Sequence, residues 1–163
     1  MKKTQPIKER LNAHLDMLKK LESLKLELQF AEDQYGSCKS QNLGSIPGGG
    51  GYNGTSETEM IVGRKIELEN KVKKKQDEID RDWAELEPLI EQLKPIETLI
   101  LNLRYLYGSE WEDVCFAIFG KCKDYTIEID RYMNKMFKAH GRALLSLSEM
   151  AATKNEEDGS RDS

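Results

Sequence analysis

Two long stretches of this chain repeat apolar residues at intervals of three and four, and that repeat limits what they can become. In the first, Ile7, Leu11, Leu15, Leu18, Leu21, Leu24, Leu28, Ala31 and Tyr35 fall on one stripe of a helix. In the second the stripe is Ile61, Lys65, Leu68, Val72, Gln76, Ile79, Trp83, Leu86, Ile90 and Leu93. Strands would need a period of two. The spacing predicts a first helix from Pro6 to about Tyr35, roughly 45 Å long. It predicts a second from a capping box at Ser56 and Glu59 to about Lys94, with a kink or break at Pro88. Two successive intervals of three, at Leu18–Leu21–Leu24, disturb the first seam locally. Gly36–Gly54 holds seven glycines and one proline, which predicts a loop. Helix one folding back on helix two, as an antiparallel coiled-coil hairpin over residues 1–94, covers both stripes. Pairing between two chains covers them equally.

Only 38% of residues are apolar and 33% are charged, a balance typical of long helices with solvated faces. Strand formers are sparse, so the expected class is all-α. Net charge is −4, and residues 95–150 hold seven Lys and Arg against eight Asp and Glu. There is no global cationic field, and affinity for a polyanion has to come from a local patch. Cys38, Cys115 and Cys122 are odd in number and widely spaced, as free thiols in a reducing cytoplasm would be. The longest apolar run, Val114–Phe119, is far short of a membrane span, and no signal peptide is visible. The expectation is a soluble cytoplasmic protein with no membrane partner.

The C-terminal part reads differently. Pro95 opens a new helix at a first-turn position, with Ile96, Leu99, Ile100, Leu103 and Tyr107 as its apolar face. That helix ends at Gly108. Ser109 and Glu112 form a capping box for a short second helix, which stops at Gly120 and shows Trp111, Val114, Cys115 and Ile118. A third stripe follows at Ile129, Met133, Met136, His140, Ala143 and Leu147. Three short amphipathic faces can cover one another, which predicts a small tri-helical core over residues 95–150. Its expected members include Leu103, Trp111, Val114, Cys115, Ile118, Met133 and Met136. Trp83 and Trp111 read as packing anchors, and Arg104 as a partner of Glu112 or Asp113. Residues 151–163 form an acidic, polar tail, expected to be disordered.

Opposite the third stripe, Arg131, Lys135, Lys138 and Arg142 stand at i, i+4, i+7 and i+11, a row of four cations on one helical face. A charge run of this kind is usually a solvated face. Two helices joined by a tight turn, the second bearing cations, is also the sequence form of a helix-turn-helix DNA reader.

Here the chain resembles a known family. ILNLRYLYGSEWEDVCFAIFG (Ile100–Gly120) and FKAHGRALLSL (Phe137–Leu147) are similar to the region-4 helix-turn-helix of bacterial sigma factors. More closely, they resemble the RinA/ArpU-type late transcription regulators of phages and prophages. IPGGGG (Ile46–Gly51), set between two long helices, also fits. The chain departs from the family pattern at KCKDYTIEID (Lys121–Asp130), where a short turn is usual. The resemblance implies a regulator that activates late genes, binding double-stranded promoter DNA with host RNA polymerase as partner. The expected DNA contacts are Lys121, Lys123, Arg131, Asn134, Lys135, Lys138 and Arg142, with the short helix crossing the backbone and the long one in the major groove. Glu128 and Asp130 stabilise the first turn of that helix but would repel phosphates. The hairpin would serve self-association or the polymerase.

A coiled-coil scaffold or adaptor of phage assembly, with a protein-docking helix-turn-helix, would show the same long helices. Nothing in the chain forms a catalytic constellation. Cys115, Cys122 and His140 lack a CxxC pair, so no metal is expected. Gly48–Gly51 follows no strand and lacks a Lys-Ser or Lys-Thr, which argues against a nucleotide site. No cofactor is expected.

Overall fold

The computed structural model describes residues 3–42 and 54–160. Among them the chain is all-α: five helices and no strand. They are α1 (Gln5–Asn42), α2 (Gly54–Ile90), α3 (Pro95–Leu101), α4 (Trp111–Phe119) and α5 (Ile129–Gly159), with a π-helical turn at Asn102–Leu106 after α3.

Four boundaries differ from the sequence expectation. First, α1 continues through Gly36 to Asn42. Residues 36–42 contain a single glycine, whose penalty of about 1 kcal/mol one long helix absorbs; the dense glycine run begins later. That run, Ile46–Gly51 included, lies outside the described residues. Second, α2 already has helical backbone at Gly54, so Ser56 sits inside the helix rather than at its cap. Third, α2 runs through Pro88 and ends at Ile90 instead of Lys94. Proline withholds the amide that would bond one turn back. The helix then unwinds through turn bonds from Gln92 N–H to the Leu89 carbonyl and from Leu93 N–H to that of Ile90, 3.3 and 3.1 Å. Fourth, α5 carries on to Gly159, so the expected disordered tail is helical over 151–159. Ala151, Ala152, Lys154, Glu156 and Glu157 are strong helix formers that extend an existing helix at little cost. Residues 161–163 lie outside the described residues.

The chain divides into two compact units, Met1–Asp16 with Asp80–Ser163, and Met17–Ile79. The division falls inside α1 and α2, not at the 94/95 position expected from the sequence. Within the second unit, Leu21, Ala31, Leu68 and Ile79 are buried and Leu24, Leu28, Tyr35, Ile61 and Val72 half-buried. The polar interruption at Lys65 is accommodated by laying its ammonium 5.6 Å from the centre of the Tyr35 ring, a favourable cation–π placement.

In the first unit Ile7, Leu11 and Leu15 of α1 and Trp83, Leu86 and Ile90 of α2 are buried. His14, which the apolar stripe does not include, joins them. It is fully buried, with Nδ1 2.6 Å from Asp82 Oδ2 and its ring 5.2 Å from that of Trp83. Arg10 pairs with Glu85 at 2.6 Å, an exposed contact of little energetic weight. The Ser148 hydroxyl donates to the Lys3 carbonyl, tying α5 to the chain start. Among the described residues no helix is long and apolar enough to cross a membrane.

Candidate nucleic-acid interface

The candidate site is carried by residues 95–147. Pro95 occupies the first turn of α3 behind an extended Lys94, and the Thr98 hydroxyl anchors the helix on the Ile90 carbonyl at 2.9 Å. After Leu101 the backbone widens: Tyr107 N–H donates to the Asn102 carbonyl at 3.0 Å, a bond five residues long. Such a π turn inserts extra backbone into the helix and changes which side chains face inward. Leu101 and Tyr105 are buried, whereas Leu99 and Tyr107, expected inside, are 43% and 72% exposed.

Gly108, with φ 70°, reverses the chain in the left-handed region. The cap of α4 then forms on Glu110, not Ser109, and no side-chain cap bond is made. Ser109 is occupied otherwise. Its N–H donates to the Leu103 carbonyl at 3.0 Å, and its own carbonyl accepts from the Arg104 guanidinium at 2.8 Å. Arg104 also lies 3.5 Å from Glu110, and 4.8 Å from the centre of the Trp111 ring. The expected partners Glu112 and Asp113 are not the ones it meets. Trp111 is the packing anchor expected, its ring edge-on to His140 at 4.8 Å and to Phe137 at 5.2 Å.

Two glycines here should respond in opposite ways to alanine. Gly108→Ala puts a Cβ on left-handed backbone and is expected to lower stability by about 1 kcal/mol. Gly141 lies within α5 with open space where a Cβ would go. There Gly141→Ala is expected to raise stability by roughly 0.5–1 kcal/mol. Urea midpoints of the two variants against the parent chain check both signs.

Residues Lys121–Glu128 form a succession of turns between α4 and α5. Cys122 N–H donates to the Phe119 carbonyl at 2.9 Å and Glu128 N–H to that of Asp124 at the same distance. The Tyr132 hydroxyl donates to Asp124 Oδ1 at 2.6 Å. That bond holds the Asp124 carboxyl below its ordinary range and pushes the Tyr132 phenol up. Tyr125 and Tyr132 pack with ring centres 5.7 Å apart, and Phe119 sits 5.1 Å from Tyr132. Tyr125 and Tyr132 belong to one core with Ile100, Val114, Cys115, Met136 and Ala139; Leu103, Trp111, Ile118, Phe119 and Met133 pack against it. Of the seven residues expected here, Val114, Cys115 and Met136 belong to this core, and Leu103, Trp111, Ile118 and Met133 are partly buried against it. Tyr125, Tyr132 and Ala139 belong to it, and Phe119 packs against it, without having been expected. Tyr132 stands four before Met136, one helical turn away, and that position is the signal in the sequence. Ile129, expected to open the inward stripe, is instead 44% exposed, because it lies at the first residue of α5.

Farther along, His140 is buried beneath Trp111 and shares a hydrogen bond between Nε2 and the Tyr105 hydroxyl at 3.1 Å. Burial, then the nearby charges of Lys8 and Arg104, lower its pKa to about 4. Cys115 is a buried free thiol and Cys122 an exposed one; the Cys38 side chain lies outside the described residues. Among the described residues no three His, Cys, Asp or Glu side chains converge as a metal site would require.

α5 turns Tyr132, Met136, Ala139, His140, Ala143 and Leu147 inward. With 100° per residue, Arg131, Asn134, Lys135, Lys138 and Arg142 then lie on its outer side, and all five are exposed. They do not stand alike. Arg131 is held by Glu128 at 2.6 Å. Arg142 reaches with Nε to 3.8 Å from Glu97, a carboxylate on α3 that is only 3% exposed. Lys135 lies 5.2 Å from the centre of the Tyr132 ring. Lys138 enters no ion pair among the described residues, and Lys121 and Lys123 are exposed in the preceding turns. Of the four cations in the row, Arg131 and Arg142 are therefore held by carboxylates, Lys135 sits beside the Tyr132 ring and helps to hold the Asp124 pKa down, and Lys138 enters no ion pair among the described residues; Asn134 stands beside them. Glu128 is engaged with Arg131, and Asp130 lies about 100° round the helix from Arg131.

Comparisons of the chain with protein-family models, with curated proteins and with solved structures give no match.

Proposed function

We propose that this chain is a transcription regulator of the RinA/ArpU type, cytoplasmic in a bacterial host, that binds double-stranded promoter DNA and activates phage or prophage late genes with host RNA polymerase. In this reading α3, α4 and α5 act as a sigma region-4-like helix-turn-helix, and α1 and α2 as an antiparallel coiled-coil hairpin. The observation that carries it is the outer face of α5. Lys135 and Lys138 are exposed cations that enter no ion pair among the described residues, flanked by Asn134 and set on a helix whose other side packs into the core with α3 and α4. A rigid helix with a solvated cationic row can enter a major groove, place ammonium groups at phosphates and offer an amide to an adenine edge. Arg131 would take a phosphate only by giving up its pair with Glu128. Arg142, bound toward a buried carboxylate, has a share in holding α5 to α3 and contributes less to DNA than the sequence row suggests.

The test is a fluorescence-anisotropy titration of the chain against late-operon promoter DNA of its own genome, with scrambled DNA as control, at about 50 and 200 mM salt. Tighter binding to the promoter, weakening steeply with salt, is the expected result. Absence of binding both alone and with added polymerase would overturn the reading.

A further inference from the structure

Besides its buried stripe, α1 carries a second heptad-spaced row: Lys19, Ser23, Leu26, Phe30, Asp33 and Ser37, at intervals of 4, 3, 4, 3 and 4. All six are exposed, and Leu26 and Phe30 are each 63% exposed, two large apolar side chains one turn apart and left to solvent. All six belong to the unit Met17–Ile79.

The row has a direction. Its two large apolar residues stand in the middle. Lys19 lies seven residues before Leu26, and Asp33 seven after it. Neither Lys19 nor Asp33 has an ion-pair partner among the described residues. The surrounding helix repeats the polarity: Lys19, Lys20 and Lys25 precede Leu26, with Glu22 among them, and Glu27, Glu32 and Asp33 follow. Reversed about Leu26, the line Lys19, Leu26 and Asp33 is complementary to itself, while Phe30 falls beside Glu22 and Ser23. Two copies laid antiparallel about a two-fold axis at Leu26 bring the two Leu26 side chains together. Each Phe30 then lies one turn along the seam, and Lys19 stands opposite Asp33 at both ends. A parallel arrangement would instead face Lys19 with Lys19 and Asp33 with Asp33. An isologous contact of this kind is what a two-fold requires, and residues seven apart, as Lys19, Leu26 and Asp33 are, fall on one line of a helix.

We infer that this chain forms an antiparallel homodimer through the outer face of α1, with Leu26 and Phe30 around the two-fold and Lys19–Asp33 pairs on either side. The inference stands independently of DNA binding.

Sedimentation equilibrium of the full chain, at concentrations from about 1 to 100 μM, tests it together with a double variant, two single variants and a mixture of the singles. The parent chain is expected to be a dimer in this range, which covers the affinity of a modest helix seam. Leu26→Glu with Phe30→Glu removes four apolar side chains from the contact and adds like charge, and is expected to weaken dimerisation by about 100-fold or more. Circular dichroism of that variant should match the parent, since both positions are exposed. Lys19→Asp alone and Asp33→Lys alone each place like charges opposite one another, and should each weaken the dimer several-fold. Mixing these two single variants pairs every altered residue with an opposite charge and should restore the affinity. A monomeric parent chain, a dimer indifferent to the Leu26 and Phe30 changes, or single variants that fail to recover on mixing would each overturn the inference.

Discussion

Replacing Lys135 and Lys138 together by glutamate is expected to weaken promoter binding by at least about 100-fold at low salt, leaving the helical signal unchanged. Both side chains are exposed and take part in no ion pair among the described residues; their reversal costs the fold the contact of Lys135 with the Tyr132 ring and its attraction for Asp124, and leaves the helices in place. At the DNA the change is large, because two attractive phosphate contacts become repulsive ones. A milder pair, Lys135→Gln with Lys138→Gln, should reduce the slope of log affinity against log salt by about 2, one for each phosphate no longer neutralised. Asn134→Ala, in contrast, should leave the slope as it is and narrow the preference for promoter over scrambled DNA. Anisotropy titrations over a salt series separate these outcomes. If the glutamate variant binds as tightly as the parent, the outer face of α5 is not the reading surface.

The second large effect is on stability, and it depends on pH. Burial holds the His140 ring neutral, with a pKa of about 4 against an ordinary value of 6.5. The unfolded chain therefore takes up this proton near pH 6.5, while the folded chain resists it until about pH 4. The stabilising contribution is fully present above pH 6.5, declines steadily as the pH falls, and is gone below about pH 4. Integrated over that window it amounts to roughly 3 kcal/mol, a large part of what a small helical domain usually has. His140→Gln keeps a polar partner for the Tyr105 hydroxyl but cannot take up a proton. Between about pH 6.5 and 4.5 the parent should lose about 2–3 kcal/mol relative to this variant. Urea denaturation at three pH values measures the difference, and parallel curves for the two proteins would show that His140 is not the sensitive group.

The long helices are legible in the sequence because a heptad stripe is a local, repeated signal: every residue of both stripes is buried or half-buried. Other features depend on contacts between distant positions. Nothing near Ser109 in the sequence says that its carbonyl is taken by Arg104, a contact that accompanies the move of the α4 cap to Glu110. The inward face of α3 is hidden for a related reason: it is centred on Glu97, Ile100 and Leu101, which leaves Leu99 outside, and the π turn at Asn102–Leu106 breaks the period before Tyr107. On α5 the cationic row itself can be read by counting. Which of its members are committed cannot, because Arg142 meets a carboxylate 45 positions earlier. KCKDYTIEID has no period to follow, and so gives no sign of a packing role. Tyr125 within it is nonetheless 8% exposed and part of the core.

The split of α1 between two units also bears on how the chain folds. The unit that carries α3 to α5 is assembled from both ends of the sequence, Met1–Asp16 and Asp80–Ser163. Its N-terminal strip supplies Ile7, Leu11, His14 and Leu15 to the interior, and the Lys3 carbonyl to Ser148. Closing it requires ordering a chain of roughly 60 residues, an entropic cost that contacts near in sequence do not incur. Turns and helices of residues 95–147 close on contacts near in sequence, whereas the N-terminal segment has to be brought to them across residues 17–79. Deletion of residues 1–16 is expected to lower the urea midpoint of the chain, since it takes four buried side chains out of this interior.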